Sequence, residues 1–189
     1  MSVSTGSSPT TGDVVDLLLA QHEEVRQLLS RTQTGGTVAN EAFECLVRLL
    51  AVHETAEEEV VYPALRSIGP EGERVAEARK AEEAEAKQSL SDLEKLGVEG
   101  RGFALQFQAF RDDVLAHAEA EEHEVFPLLR RSLDADKLES MRTAVERAEK
   151  MAPTHPHPHG PESAIGNLVV GPFVAVADRV RDAIRNVRS

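Results

Sequence analysis

The chain has no tryptophan, one tyrosine and one cysteine. A single thiol can close no internal disulfide, and it cannot supply the several thiolates of a structural zinc site. Cys45 lies among Phe43, Leu46 and Leu49, which predicts a small core residue rather than a reactive group. There is no excess of positive charge either: the formal net charge is -12 over 189 residues. That excludes a general nucleic-acid-binding role, because phosphates would be repelled with no large basic face to offset it. No stretch approaches the ~18 consecutive apolar residues of a transmembrane helix. Residues 1–12 are rich in Ser, Thr and Gly and have neither the basic start nor the apolar run of a secretory signal. The expected location is therefore cytoplasmic, and residues 1–12 are expected to be a disordered N-terminus.

Hydrophobic residues make up 41% of the chain and charged residues 29%. With Leu, Val and Ala supplying most of the apolar content, helix is favoured, and the length suits one core with appendages. No segment alternates like a strand. Apolar residues recur at helical spacing in residues 13–31, with Val15, Leu18, His22, Val25 and Leu29 on one stripe and Asp13 as N-cap. A second helix is predicted over 38–67, its seam running Phe43, Leu46, Leu50, His53, Glu57, Val60 and Ala64, with Pro63 kinking the last turns. A third spans 74–96, carrying Ala76, Arg79, Glu83, Ala86, Leu90 and Leu93. A fourth spans 102–132, carrying Phe103, Phe107, Phe110, Val114, His117, Glu121 and Leu128.

Four such helices joined by short Gly-containing turns predict an all-α, up-down-up-down four-helix bundle over residues 13–133. A fifth, flanking helix is expected within 134–151. A linker over 152–172 follows, whose prolines alternate with His155, His157 and His159, and then an amphipathic tail helix over 173–189. The histidine tract reads as plain linker or a weak surface metal site. The tail, apolar on one side and Arg-bearing on the other, is expected to dock on the bundle, with a partner or an anionic membrane surface as the alternative.

The bundle contains an internal repeat. His53-Glu54-Thr55-Ala56-Glu57-Glu58 aligns with His117-Ala118-Glu119-Ala120-Glu121-Glu122 at an offset of 64, and Tyr62-Pro63 falls on Phe126-Pro127 without a gap. Residues 21–27 of the first helix align with 82–88 of the third at an offset of 61. The domain reads as a duplicated helix pair. His22, His53, Glu57, Glu83, His117 and Glu121 all continue apolar stripes, at seam positions where a bundle normally places Leu or Val. Ionised carboxylates there cost several kcal/mol each unless compensated. A metal pair is the simplest compensation. Histidine and glutamate one helical turn apart reach a common ion, and carboxylates bridge two. Charge counting agrees: two ferrous ions against three carboxylates leave roughly +1, as do two ferric ions with an oxo bridge.

On the third helix Glu82 is the alternative to Glu83 as ligand if the register slips by one. Glu54, Glu58, Glu59, Glu119, Glu122, His123 and Glu124 are expected to be solvated, with some of them orienting imidazole N–H groups. Tyr62 either lines the pocket and donates a hydrogen bond to a bound oxygen species, or packs the helix end.

The order His22, His53-x-x-x-Glu57, Glu83, His117-x-x-x-Glu121, with Tyr62-Pro63 and Phe126-Pro127 closing the two paired motifs, resembles the hemerythrin-like (HHE) family across about residues 13–133. The resemblance implies a non-haem di-iron centre, two iron ions with an oxo or hydroxo bridge. His22 and His53 would hold one ion, His117 and the third-helix ligand the other, and Glu57 and Glu121 would bridge. Where oxygen-carrying hemerythrins have histidines on the third helix, this chain has Glu83 and, one turn later, Lys87. That departure argues against reversible oxygen carriage. The expected function is binding or reaction with small oxidants (hydrogen peroxide, O2 or NO), including catalase-like peroxide disproportionation. The alternative is an iron- or oxygen-sensing or iron-handling protein without catalysis.

Overall fold

The computed structural model of the protein describes residues 12–151, 177–182 and 184. The expected N-terminal extension up to residue 11, the His155, His157 and His159 linker, and the rest of the tail lie outside the described residues. Among those described there is no strand, and no helix is long and apolar enough to cross a membrane.

Helix α1, Val14–Thr32, opens on a capping box: the Asp16 N–H donates to Asp13 Oδ1 and the Asp13 N–H donates back to Asp16 Oδ2. Helix α2, Gly36–Ala56, runs into a π turn at Glu57–Val61 and continues as α3, Tyr62–Ile68. Helix α4 is Pro70–Leu96. Helix α5, Phe103–Ala120, passes through a second π turn at Glu121–Val125 into α6, Phe126–Ser132, and α7 is Ala135–Met151. The four long rods of the bundle are therefore α1, α2 with α3, α4, and α5 with α6.

The prolines act differently from the expected kink. Pro63 and Pro127 have no N–H for the carbonyl four residues back. The ladder responds just upstream by widening: the Tyr62 N–H bonds to the Glu57 carbonyl and the Phe126 N–H to the Glu121 carbonyl, five residues back in each case. Both wide turns begin at a seam glutamate. The third rod starts earlier than its periodicity predicts, because Pro70 sits at the first helical turn, where its missing donor is harmless. Its first turn packs directly on α3. A Cβ at Gly72 would lie 1.9 Å from the Leu65 carbonyl oxygen, so no other residue fits.

One hydrophobic cluster runs the length of the bundle, from Phe43, Phe103 and Phe107 at one end to Leu65, Leu128 and Leu129 near the other. Met141 and Val145 of α7 join it, as do Val180 and Ile184 of the C-terminal helix, so that helix is docked on the bundle. Cys45 is exposed, contrary to the expectation of a core thiol. Successive helical residues turn by about 100°, so with Phe43, Leu46 and Leu50 facing inward the position two beyond Phe43 points out.

Candidate metal centre

The two π turns place Glu57 and Glu121 opposite each other at mid-bundle, both with 0% exposure. Around them lie His22 from α1, His53 from α2, Glu83 from α4 and His117 from α5. Their donor atoms form two overlapping groups, His22, His53, Glu57 and Glu121, and then Glu57, Glu83, His117 and Glu121, with the atoms of each group within 4.8 Å of one another. The structure thus gathers all six seam donors in one layer.

Individual distances show how Glu121 straddles the two groups. Its Oε2 lies 3.3 Å from His22 Nε2 and 4.0 Å from His53 Nε2, while its Oε1 lies 3.5 Å from His117 Nε2. His53 Nε2 is 3.4 Å from Glu57 Oε2 and 3.2 Å from His22 Nε2. Donors that share one ion at metal–ligand bonds of about 2.0–2.2 Å sit at comparable separations. Glu83 belongs to the layer and accepts a hydrogen bond from the Tyr62 hydroxyl. Glu82 faces away from the layer, its Oε2 2.9 Å from His117 Nδ1.

Each imidazole has its other nitrogen fixed. Nδ1 of His22 lies 2.9 Å from Glu122 Oε1, which also accepts from Arg26 at 2.7 Å. Nδ1 of His117 meets Glu82, itself paired with Arg79 at 2.8 Å. Nδ1 of His53 meets Gln21 Oε1 at 2.7 Å, and the Gln21 amide donates to Glu149 on α7. With Nδ1 engaged, every Nε2 is turned toward the centre with its lone pair available to a cation.

The electrostatics of the layer call for positive charge. Burial, then the charges of Glu121 and Glu83, raise the Glu57 carboxyl well above the ordinary range. Burial likewise pushes Glu83 up to about 7, although Lys87 and Tyr62 pull the other way. Burial and the neighbouring His22 hold His53 down to about 3. Burial would raise Glu121 too, but the adjacent imidazoles of His22, His117 and His53 outweigh it and lower its pKa. Both oxygens of Glu57, Oε2 of Glu121 and Nε2 of His117 are buried without a hydrogen-bond partner. Orphaned acceptors of this kind, facing each other from two of the four rods, fit a metal.

Beside the layer is a cavity of about 20 Å³, room for a water-sized molecule, walled by Val25, Leu50, Ala86, Val114 and Ala118. Glu54 also lines it, only 5% exposed, where a solvated side chain was expected. Lys87 Nζ, 3.4 Å from Glu54 Oε2 and 3.2 Å from Glu83 Oε2, compensates it. Glu122 is likewise half-buried rather than solvated, while Glu119, His123 and Glu124 are exposed.

The repeat alignment carried a signal for these supporting residues. Gln21 aligns with Glu82, Arg26 with Lys87 and Glu58 with Glu122. Each aligned pair plays matching parts: Gln21 and Glu82 hold the two paired-motif histidines, and Arg26–Glu122 corresponds to Lys87–Glu58.

Comparison with known proteins agrees with this arrangement. Residues 13–129 match the model of the hemerythrin HHE cation-binding domain. An uncharacterized hemerythrin-like protein of Schizosaccharomyces pombe is 31% identical over 134 residues, covering 70% of this chain and 66% of that protein. A DNA nickase of Nostoc is 26% identical over 150 residues, covering 78% of this chain and 42% of that protein. The chain spans somewhat under two thirds of the first relative's length and under half of the second's. The crystal structure of a hemerythrin HHE cation-binding domain-containing protein from Mycobacterium kansasii shares the fold at a TM-score of 0.66 and 19% identity, covering 74% of this chain and 86% of that one. With the matched region holding every donor of the buried layer, this chain belongs to the hemerythrin HHE cation-binding domain family.

Proposed function

We propose that this chain is a non-haem di-iron protein that reacts with small oxidants, with hydrogen peroxide disproportionation as its leading reaction and O2 and NO as further ligands. The observation that carries the reading is the pair of overlapping donor groups, in which both oxygens of Glu57, Oε2 of Glu121 and Nε2 of His117 are buried without a hydrogen-bond partner. His22 and His53 would hold one ion, Glu83 and His117 the other, and Glu57 and Glu121 would serve both. When bound, a pair of iron ions supplies the one- and two-electron changes that side chains cannot.

The chain's own residues define what reaches the centre. Val25, Leu50, Ala86, Val114 and Ala118 exclude bulk water and admit only molecules of a few atoms. Gln21, Glu82 and Glu122 keep the imidazoles aimed inward. Tyr62 donates to Glu83 and fixes the oxygen donor that stands where oxygen carriers have histidine. A hard anionic donor favours the higher oxidation state of iron, which supports reaction over reversible carriage.

Elemental analysis of protein purified without an affinity tag is expected to give about two irons per chain, and oxygen evolution from peroxide is expected to follow iron content. Iron-free protein that evolves oxygen equally fast would overturn the proposal. The likeness to a DNA nickase supports no nucleic-acid chemistry here, since the net charge is -12 and Glu57 and Glu121 at the centre of the donor layer are fully buried. A second reading, a sensor without catalysis, draws on the contact between the C-terminal helix and the first π turn. It requires iron uptake with no peroxide turnover.

A further inference from the structure

We infer that the C-terminal helix and the metal centre oppose one another through a run of charged side chains, Arg181, Glu58, Lys87 and Glu83, so that loading cations loosens the helix and the docked helix weakens cation binding. The inference rests on Glu83 being a ligand, as proposed above.

Arg181 lies outside the family-matched region 13–129. Its Nε is 3.2 Å from Glu59 Oε1 and its Nη2 3.5 Å from Glu58 Oε2, so it grips the π turn that begins with Glu57. The other oxygen of Glu58 is taken by Lys87 Nζ at 2.6 Å, and Lys87 reaches inward to Glu83 Oε2 at 3.2 Å. One carboxylate is therefore shared by two cationic side chains, one of which also rests on a donor of the metal layer. The matching pair in the first half, Arg26 with Glu122, leads instead to His22.

Cations at Glu83 have two effects on this run. They claim the carboxylate that helps neutralise Lys87, and they add positive charge a few ångströms from its ammonium. Lys87 then depends more heavily on Glu54 and Glu58, and the positive charge added behind it increases the repulsion felt by Arg181 at the far side of Glu58. Among the described residues of the helix, Ala177, Val180 and Ile184 are the buried apolar side chains and Arg181 makes the ion pairs to the π turn, so a weaker Arg181 contact loosens its hold. Coupling between two sites is reciprocal: whatever factor cations impose on docking, docking imposes on cation affinity.

The test uses the full chain, iron-free or loaded anaerobically with ferrous iron, with zinc loading as a redox-inert control. Hydrogen exchange at backbone amides of residues 177–184 is expected to quicken about fivefold on loading with either metal. Arg181→Ala is expected to bind ferrous iron more tightly by the same factor, and Lys87→Met to make exchange in the helix indifferent to iron. A helix that merely packs would leave affinity unchanged or lower it on Arg181→Ala, and that result overturns the inference. So does iron uptake without any change in exchange. Failure to take up metal at all removes the di-iron reading and this inference together. Should Lys87→Met not fold, the sign of the Arg181→Ala affinity change decides alone.

Discussion

The two halves of the bundle perform one task with different chemistry. In the first, an imidazole, His22, stands where the second has the carboxylate of Glu83. The aromatic side chain facing each of them differs accordingly. Phe126 stacks on the His22 ring at 5.4 Å, whereas Tyr62 turns a hydroxyl toward Glu83. The first half backs His53 with the amide of Gln21, and the second backs His117 with the carboxylate of Glu82. His117 is also the more open, at 15% side-chain exposure. A duplicated scaffold has thus kept the geometry of its donors while shifting charge toward the second half, and that makes the two cation positions distinguishable.

Removing a shared donor should have the largest effect. Glu121→Ala takes an oxygen from both groups and is expected to abolish binding of both ions, whereas His22→Ala leaves Glu57, Glu83, His117 and Glu121 intact and is expected to retain about one. Elemental analysis of the two variants checks this. Equal loss from both would mean the halves do not bind separately, and the comparison would fail. Next in size come the residues behind the imidazoles. Glu82→Ala should weaken metal binding about 10- to 100-fold. Gln21→Ala should cost less, because a neutral amide polarises its imidazole less than a carboxylate does. Competition with a chelator of known affinity ranks the two, and the reverse order would break the argument.

A third effect concerns pH in the metal-free chain. Glu83 is raised by burial from the ordinary 4.5 to about 7, and Glu57 is raised as well. A carboxyl with a higher pKa folded than unfolded holds more protons in the native state between those two values. Its contribution to stability is therefore lost as pH rises from about 4.5 to about 7. His53, held below its ordinary value, acts with the opposite sign up to about pH 6.5, so the carboxylate effect is isolated by a variant: in urea denaturation of the metal-free proteins, Glu83→Gln should gain stability relative to the unsubstituted chain as pH rises from about 5 to about 7. The same pH dependence in both proteins would show that Glu83 is not under strain.

Much of this was visible in the sequence, and the reasons are physical. The 3.6-residue periodicity defined the four rods, and the same periodicity exposed the donors, because a His or Glu on a Leu stripe has no other place to point. What periodicity left obscure was rotation and partnership. Cys45 and Glu54 each lie one position from a seam residue, where a modest rotation of the helix moves a side chain from inside to outside. Glu82, Glu122 and Gln21 lie within polar runs where a supporting residue and a solvated one look alike. Only the repeat register, which pairs Gln21 with Glu82 and Glu58 with Glu122, distinguishes them. The prolines announced a disturbance in the ladder, but whether it becomes a kink or a widened turn depends on tertiary packing around Glu57 and Glu121.

The smallest expected effect tests the covariation of aromatic and donor within a half. Phe126 with His22, and Tyr62 with Glu83, are the two native combinations. Tyr62→Phe alone deprives Glu83 of a buried hydrogen bond. Glu83→His alone leaves the Tyr62 hydroxyl with Glu121 Oε1 at 3.4 Å as its remaining carboxylate partner. Together the two changes recreate in the second half the combination the first half uses, so the double variant should be less destabilised than the sum of the singles. Buried hydrogen-bonded neighbours usually couple by about 0.5–3 kcal/mol. A value near 1 kcal/mol, from urea unfolding of the metal-free proteins, would show that the hydroxyl is present because the carboxylate is. Strict additivity would mean that Tyr62 packs like Phe126 and that its hydroxyl plays no part in holding Glu83.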